Sequence, residues 1–351
     1  MTSQIHIDPY SIRLASPLST ARGSITQRRG FLVQIAADSE PSGIGEAAPL
    51  PGWTEPYDAC EQALRSAASA DDPKRSVDPA TTPAAAHAIE SARLDRAAAA
   101  ADRSAAEHLR TEVFGSAGDV AGSVPVNATI GGGSIDETVR AATAAVDSGF
   151  SCLKLKAGSD GLDSDIDRIR AVREAVSPTV DIRIDANGAW DRETAARAID
   201  ALAPLTLEYL EQPLPADDLS GHAELRGRGV PIAVDESLAS VGFAEIAEAD
   251  AADVLVCKPM AIGGPRRTVA LAARARAAGI DPVVTTTIDA VVARTTAVHV
   301  AAAIPDVRPC GLATASLLET DLGPDPVTVA DGRVTVPSGA GIGVETTETN
   351  R

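Results

Sequence analysis

Five short apolar runs, each ending in charge, recur at nearly even spacing through the middle of the chain: 152–158 (CLKLKAG), 181–190 (DIRIDANGAW), 207–213 (LEYLEQP), 231–237 (PIAVDES) and 254–260 (VLVCKPM). Their charged ends are Lys154 and Lys156, then Asp185, Glu211, Asp235 and Lys258. From Lys156 onward the steps are 29, 26, 24 and 23 residues, the length of a strand, a helix and two loops. The pattern predicts βα units whose parallel strands bring these charges to one rim. A closed eight-stranded parallel barrel is the simplest container, and such barrels place reactive groups at the C-terminal ends of their strands.

The flanks carry other periods. Alternating runs around 5–14 and 30–37 predict an antiparallel hairpin, with flexible polar sequence (SPLSTARGSIT) between them. Ala-rich segments 56–70 and 83–108 predict helices separated by a polar surface linker. A barrel begins near 124–130 (VPVNATI), and Ser134 with Glu137 forms a capping box opening a helix that Gly149 ends. Residues 282–289 supply a seventh strand and RPCGLAT an eighth, and VTVADGRVTVP reads as a hairpin returning to the first domain. The expected architecture is α/β: a (β/α)7β TIM-like barrel over 121–320, with an α+β capping domain formed by 1–120 and the tail 321–351.

Three carboxylates at one rim repel one another and carry a desolvation cost unless a cation neutralises them. Oxygen-only ligands Asp185, Glu211 and Asp235 favour a hard divalent ion, Mg²⁺ with Mn²⁺ as the alternative, over zinc. Lys154 and Lys156, two apart on a strand, point to the same side, and Lys258 lies across the cavity. The chain has 31 Lys plus Arg, of which only Lys74, Lys154, Lys156 and Lys258 are lysines. A Lys can lose its proton and act as a base, which Arg cannot do. Arg183 and Asn187 read as support around the ligands, and Glu208, out of phase with Glu211, as structural. Candidate substrate contacts are Arg22 or Arg28 and Trp53 in the first domain, Thr286 and Thr287 after the seventh strand, and Gly311 and Leu312 on the eighth. A solvated loop charge is the alternative for either arginine, and a β-favouring core position for the threonines.

A net charge of −18 argues against nucleic acid or an anionic membrane surface as partner; the expected partner is a small-molecule carboxylate held at an open position of the metal. Abundant Asp and Glu with scarce Lys and 3% aromatic residues suggest adaptation to high salt, as in a haloarchaeal cytoplasm. Four cysteines without a CxxC pair read as reduced apolar residues. No apolar run reaches the length of a membrane span, so a cytoplasmic protein is expected.

The series KxK, DAN, EQP, DES and CKP, in this order, resembles the enolase superfamily, and its lysine pairing the muconate lactonizing enzyme subgroup. That superfamily is itself a standard illustration of a Lys or His base working beside Mg²⁺, so this chemistry comes with the resemblance. GIGEAAPLPGWT (43–54) and CGLATASLLETDL (310–322) resemble the o-succinylbenzoate synthases. The resemblance implies dehydration of a cyclohexadiene carboxylate through a metal-stabilised enediolate, with Lys156 as base, Lys154 stabilising charge beside it and Lys258 facing the opposite side. In related dipeptide epimerases an acidic pair near the last strand grips the substrate amino group, whereas 311–317 here holds no acid. An N-acylamino acid racemase or dipeptide epimerase is the alternative, a muconate cycloisomerase a further one, and a non-catalytic metabolite-binding barrel a remote one.

Overall fold

The computed structural model describes residues 4–20, 23–37, 40–70, 72–116 and 118–345. Arg22 lies outside the described residues. The chain opens with an antiparallel sheet, β1 (Gln4–Thr20), β2 (Gly23–Ala37) and β3 (Glu40–Ala47). The segments expected as a flexible loop instead prolong the ribbon, with a register irregularity between Arg13 and Leu18 and renewed pairing of Leu18 with Ile25. Polar residues suit a two-stranded extension that needs no buried face.

Helices α1 (Tyr57–Ala68), α2 (Pro83–Ala100) and α3 (Ala105–Phe114) follow. The single helix expected over 83–108 is broken: Asp102 has φ +50°, and Ser104 opens α3 through a reciprocal capping box with Glu107. β3 lies against α2 because it carries glycines there. A Cβ on Gly43 would come within 2.0 Å of the Ala92 carbonyl oxygen, and one on Gly45 within 2.0 Å of that of Ala88.

The chain then alternates. It runs through β4 (Ser123–Pro125), β5 (Ala128–Ile130), α4 (Ile135–Asp147), β6 (Cys152–Lys156), α5 (Leu162–Ala175), β7 (Asp181–Asp185), α6 (Arg192–Leu202), β8 (Tyr209–Glu211) and α7 (Leu219–Leu225). β9 (Ile232–Val234), α8 (Glu236–Ser240), α9 (Phe243–Glu248), β10 (Val254–Cys257), α10 (Pro259–Ile262), α11 (Pro265–Ala277), β11 (Asp281–Val284) and α12 (Val291–Ala303) complete the series. Strands β5 to β11 form one curled parallel sheet in sequential order. The eighth strand expected from RPCGLAT is reduced to Cys310 and Gly311, which bridge in parallel to Val126 and Thr285 beside the two edges of the sheet. The predicted capping box at Ser134 and Glu137 opens α4, and Gly149 follows that helix at φ +89°.

All thirteen residues of α12 are buried, as an Ala- and Val-rich helix that is apolar all round requires. Leu94 and Ala98 of α2 and Leu109 of α3 share its core cluster, which joins the capping layer to the sheet. The C-terminal hairpin, β12 (Val329–Ala330) and β13 (Arg333–Thr335), pairs with β4 rather than with the β1–β3 sheet. The chain reaches the first segment further on, where the Ile342 amide donates to Asp95 at 2.8 Å. Among the described residues, no helix is long and apolar enough to cross a membrane.

Candidate active site

Strand register assembles the site. Lys156 pairs with Asp185 across β6 and β7, and Asp185 with Glu211 across β7 and β8. Asp235 follows β9 and Lys258 follows β10 at the same rim. The Lys154 ammonium, one side-chain layer lower, donates to Glu211 Oε1 at 2.7 Å and lies 2.9 Å from Asp185 Oδ2. The Lys156 ammonium donates to Asp185 Oδ2 at 2.7 Å and Asn187 Oδ1 at 2.8 Å. Lys258 pairs with Asp235. Side-chain exposure is 37% for Lys156 against 15% for Lys154 and 11% for Lys258, so Lys156 is the amine most open to a substrate.

These charges are buried together, and their ionisation follows. Burial opposes the charge on Asp185, but Lys154 and then Lys156 outweigh it and hold the carboxyl well below its usual range. Burial drives Glu211 upward, with Asp185 adding to it and Lys154 opposing. Asp235 also moves upward, chiefly through burial, against the pull of Lys258. Burial works against the Lys154 charge, yet Asp185 and Glu211 raise its pKa well above that of a free lysine.

Among the described residues, as placed, no three His, Cys, Asp or Glu side chains form a cluster able to hold a metal. Lysine ammonium groups lie against the carboxylates instead. The donor set nevertheless fits a cation. Glu211 Oε2, Asp235 Oδ1 and Glu236 Oε2 are buried without a hydrogen-bond partner. A buried carboxylate oxygen with no donor is costly, and a hard divalent ion would satisfy such oxygens.

The supporting residues separate into those at the rim and those below it. Asn187, at φ +46°, accepts from Lys156 and donates to Glu236 Oε1 at 3.0 Å. Arg183 does not support Asp185. It is fully buried, with Nε donating to Glu208 at 2.6 Å and Nη1 to the Pro309 carbonyl at 2.6 Å, over the Tyr209 ring. Its position is one layer below Asp185, in register with Lys154.

Trp53 reaches the site from the capping segment, its ring centroid 3.2 Å from the Lys258 nitrogen. Arg28 is not at a substrate surface: it is 3% exposed and donates to the carbonyls of Ala48, Pro49 and Ile288. Thr286 meets the Thr314 hydroxyl at 3.1 Å, and Thr287 donates to Asp289. Gly311 sits where its Cβ would come within 2.4 Å of the Thr285 hydroxyl. Leu312 is 1% exposed within the α12 core, not on an open surface.

Three contributors had no signal in the strand period because they lie beyond strand ends or on a helix. Glu236 follows Asp235 and reaches Asn187. Gln212, at φ +41°, accepts from the amides of Asp235 and Ser237 at 3.0 and 3.1 Å and so fixes the Asp235 loop against β8. Arg168, paired with Asp165, donates to the Lys156 carbonyl. A polar residue between a strand-terminal acid and a proline, as in EQP, was the available hint for Gln212.

Residues 137–350 match the enolase C-terminal domain-like family. The chain is 39% identical over 216 residues to an o-succinylbenzoate synthase of Thermobifida fusca (strain YX), covering 60% of this chain and 65%, just under two thirds, of that enzyme's length. It is 27% identical over 352 residues to the L-Ala-D/L-Glu epimerase of Bacillus subtilis (strain 168), covering 97% and 96% of the two chains. The crystal structure of a dipeptide epimerase from Enterococcus faecalis V583, complexed with Mg and the dipeptide L-Leu-L-Tyr, is similar with a TM-score of 0.85 at 27% identity, over 98% of this chain and 99% of that one. Such neighbours imply a TIM-like barrel with a capping domain, of which the curled parallel sheet here is the core. With a family match covering more than half its length, the chain belongs to the enolase superfamily.

Proposed function

We propose that the chain is a Mg²⁺-dependent o-succinylbenzoate synthase, a hydro-lyase converting 2-succinyl-6-hydroxy-2,4-cyclohexadiene-1-carboxylate to 2-succinylbenzoate in menaquinone biosynthesis. The observation that carries this over an epimerase is the engagement of the acids beyond Gly311. Glu319 pairs with Arg13 at 2.9 Å, and Asp321 takes Arg294 and the Val291 amide at 2.8 and 2.7 Å. Asp321 is engaged by the buried Arg294, Glu319 lies in an exposed surface pair, and 311–317 carries no acid to grip a substrate amino group; the identity to the Thermobifida fusca synthase supports the same reading.

Lys156 removes the proton α to the ring carboxylate. The C–H electron pair enters the ring, the C–O bond on the neighbouring carbon breaks, and the Lys156 ammonium returns its proton to the departing hydroxide. Water leaves from one face and the ring becomes aromatic. Lys154 holds Asp185 and Glu211 in place and stabilises charge beside the base. Lys258, against Trp53, presents a cation to the opposite face. Asp185, Glu211 and Asp235 would hold the divalent ion, which supplies Lewis-acid stabilisation of negative charge on the substrate carboxylate.

The same proposal includes a capping segment to about residue 120, a barrel to about 320 and a returning tail, acting in a salt-rich cytoplasm. The test is absorbance of the cyclohexadiene substrate with purified protein, Mg²⁺ and molar KCl, with an EDTA control. Rapid metal-dependent aromatisation is expected, and folded, Mg²⁺-loaded protein that gives none refutes the synthase reading. A racemase or epimerase is the second reading, favoured by Lys156 and Lys258 being paired with different carboxylates at one site. Deuterium incorporation from both faces of an N-acylamino acid or dipeptide in deuterated water would establish it.

A further inference from the structure

A cavity of about 710 Å³ extends from Asp235 and Lys258 between the capping segment and α11. Its outer wall includes Arg267, Leu271 and Arg274, at spacings of four and three along one face of that helix. Arg267 lies in the first turn of α11, which begins near the rim where β10 ends. Arg274 is about 10 Å further along the axis and stacks over Phe243 at 5.0 Å.

The charges along this wall are unbalanced. Asp235 is taken by Lys258, and both oxygens of Glu55, the other acid of the lining, accept from the Ala84 and Ala85 amides at 3.0 and 2.9 Å. Arg266, next in the chain, pairs with Glu112 at 2.6 Å. Among the described residues neither Arg267 nor Arg274 has an acidic partner. The lining holds Lys258, Arg267 and Arg274 against Glu55 and Asp235, one positive charge in excess in a chain with 49 Asp plus Glu against 31 Lys plus Arg, and such a local positive potential attracts anions.

We infer that this cavity is the compartment for the anionic far end of the substrate, a carboxylate several bonds from the reacting carbon, with Arg267 as its cationic anchor. The inference rests on the synthase reading for the identity of that group, the succinyl carboxylate. The guanidinium offers paired N–H donors to a carboxylate, while the ring end remains between Lys156 and Lys258.

Calorimetric titration of the Mg²⁺-loaded protein with 2-succinylbenzoate and with benzoate, which lacks the distal carboxylate, separates the two ends. Wild-type protein should bind 2-succinylbenzoate more tightly than benzoate. Arg267→Ala should weaken 2-succinylbenzoate about ten-fold and leave benzoate within two-fold, and Arg267→Lys should recover part of the loss. Arg267 is exposed on a helix surface, so the variants should fold. Equal affinity of wild type for the two ligands, or an unchanged 2-succinylbenzoate affinity in Arg267→Ala, overturns the inference. Turnover by wild type without this affinity pattern removes only the compartment, and the pattern without turnover removes only the synthase reading.

Discussion

The ammonium of Lys258 lies 3.2 Å from the centroid of the Trp53 ring while its charge is paired with Asp235. One residue comes from a turn in the capping segment and the other from the end of a sheet strand, 205 positions later in the chain. A cation held against an indole face gains about 0.5–2 kcal/mol. Trp53→Ala should therefore lower kcat/KM about ten-fold, with Trp53→Phe retaining most activity and both melting close to wild type. Steady-state kinetics beside thermal melts check this, and unchanged kinetics in Trp53→Ala would show that the contact has no part in turnover.

Lys156 is the most exposed amine of the rim and the one tied to Asn187. Lys156→Ala is expected to lose about 10²–10⁴-fold in kcat, the range for a positioned general base. Lys156→Arg should be equally impaired, since a guanidinium keeps its proton. Circular dichroism should show both folded, and turnover by the Arg variant near the wild-type rate would assign the base elsewhere.

The partnerless oxygens of Glu211 and Asp235 make a thermal prediction independent of substrate. Mg²⁺ at a hundred times its Kd should add about 2.7 kcal/mol to stability, read as a rise in Tm that EDTA reverses. Glu211→Gln and Asp235→Asn should each remove most of that rise. A Tm indifferent to Mg²⁺ at millimolar concentration argues against these ligands.

Glu46 joins the capping sheet to α12, accepting from Tyr10 and from the Ala290 and Ala293 amides at 2.7, 2.9 and 2.8 Å. Burial, with Asp289 adding to it, pushes its carboxyl up to about 7. The folded state therefore keeps this proton to higher pH than the unfolded chain does. The corresponding stability is fully present below about 4.5, the ordinary value, and is lost as pH rises through about 7. Its limit is on the order of 3 kcal/mol. Glu46→Gln should flatten the pH dependence of denaturant midpoints across that window, and an unaltered slope would mean Glu46 is ionised throughout.

The surface charge makes a salt prediction. At −18 net, self-repulsion opposes the compact state and is screened by ions, so Tm should climb between 0.1 and 2 M KCl. A flat or falling Tm over that range would count against salt adaptation.

The rim charges were legible because strand parity and an even βα step are local properties. Lys156, Asp185 and Glu211 meet through register alone, and Lys154, two residues before Lys156 on the same strand face, reaches them from one layer below. The ribbon of β1 and β2 was not, because 15–18 and all but Ile25 of 24–27 are exposed and leave no buried period. The break between α2 and α3 was marked by Ser104 and Glu107, but an Ala-rich run on both sides hid it. Parity turned Arg183 inward without revealing that Glu208 and the Pro309 carbonyl, rather than Asp185, would receive it.

The order of residues thus settled which charges share a rim, since a period-two strand and a repeated connection leave little freedom in where a side chain points. Contacts between distant segments required the folded chain. Trp53 over Lys258, Glu46 at the start of α12 and Arg267 facing the cavity depend on how the capping layer packs on the sheet. Packing is decided by the shapes of whole surfaces, such as the glycine face of β3 against α2, and no local pattern in the sequence encodes the distance across such an interface.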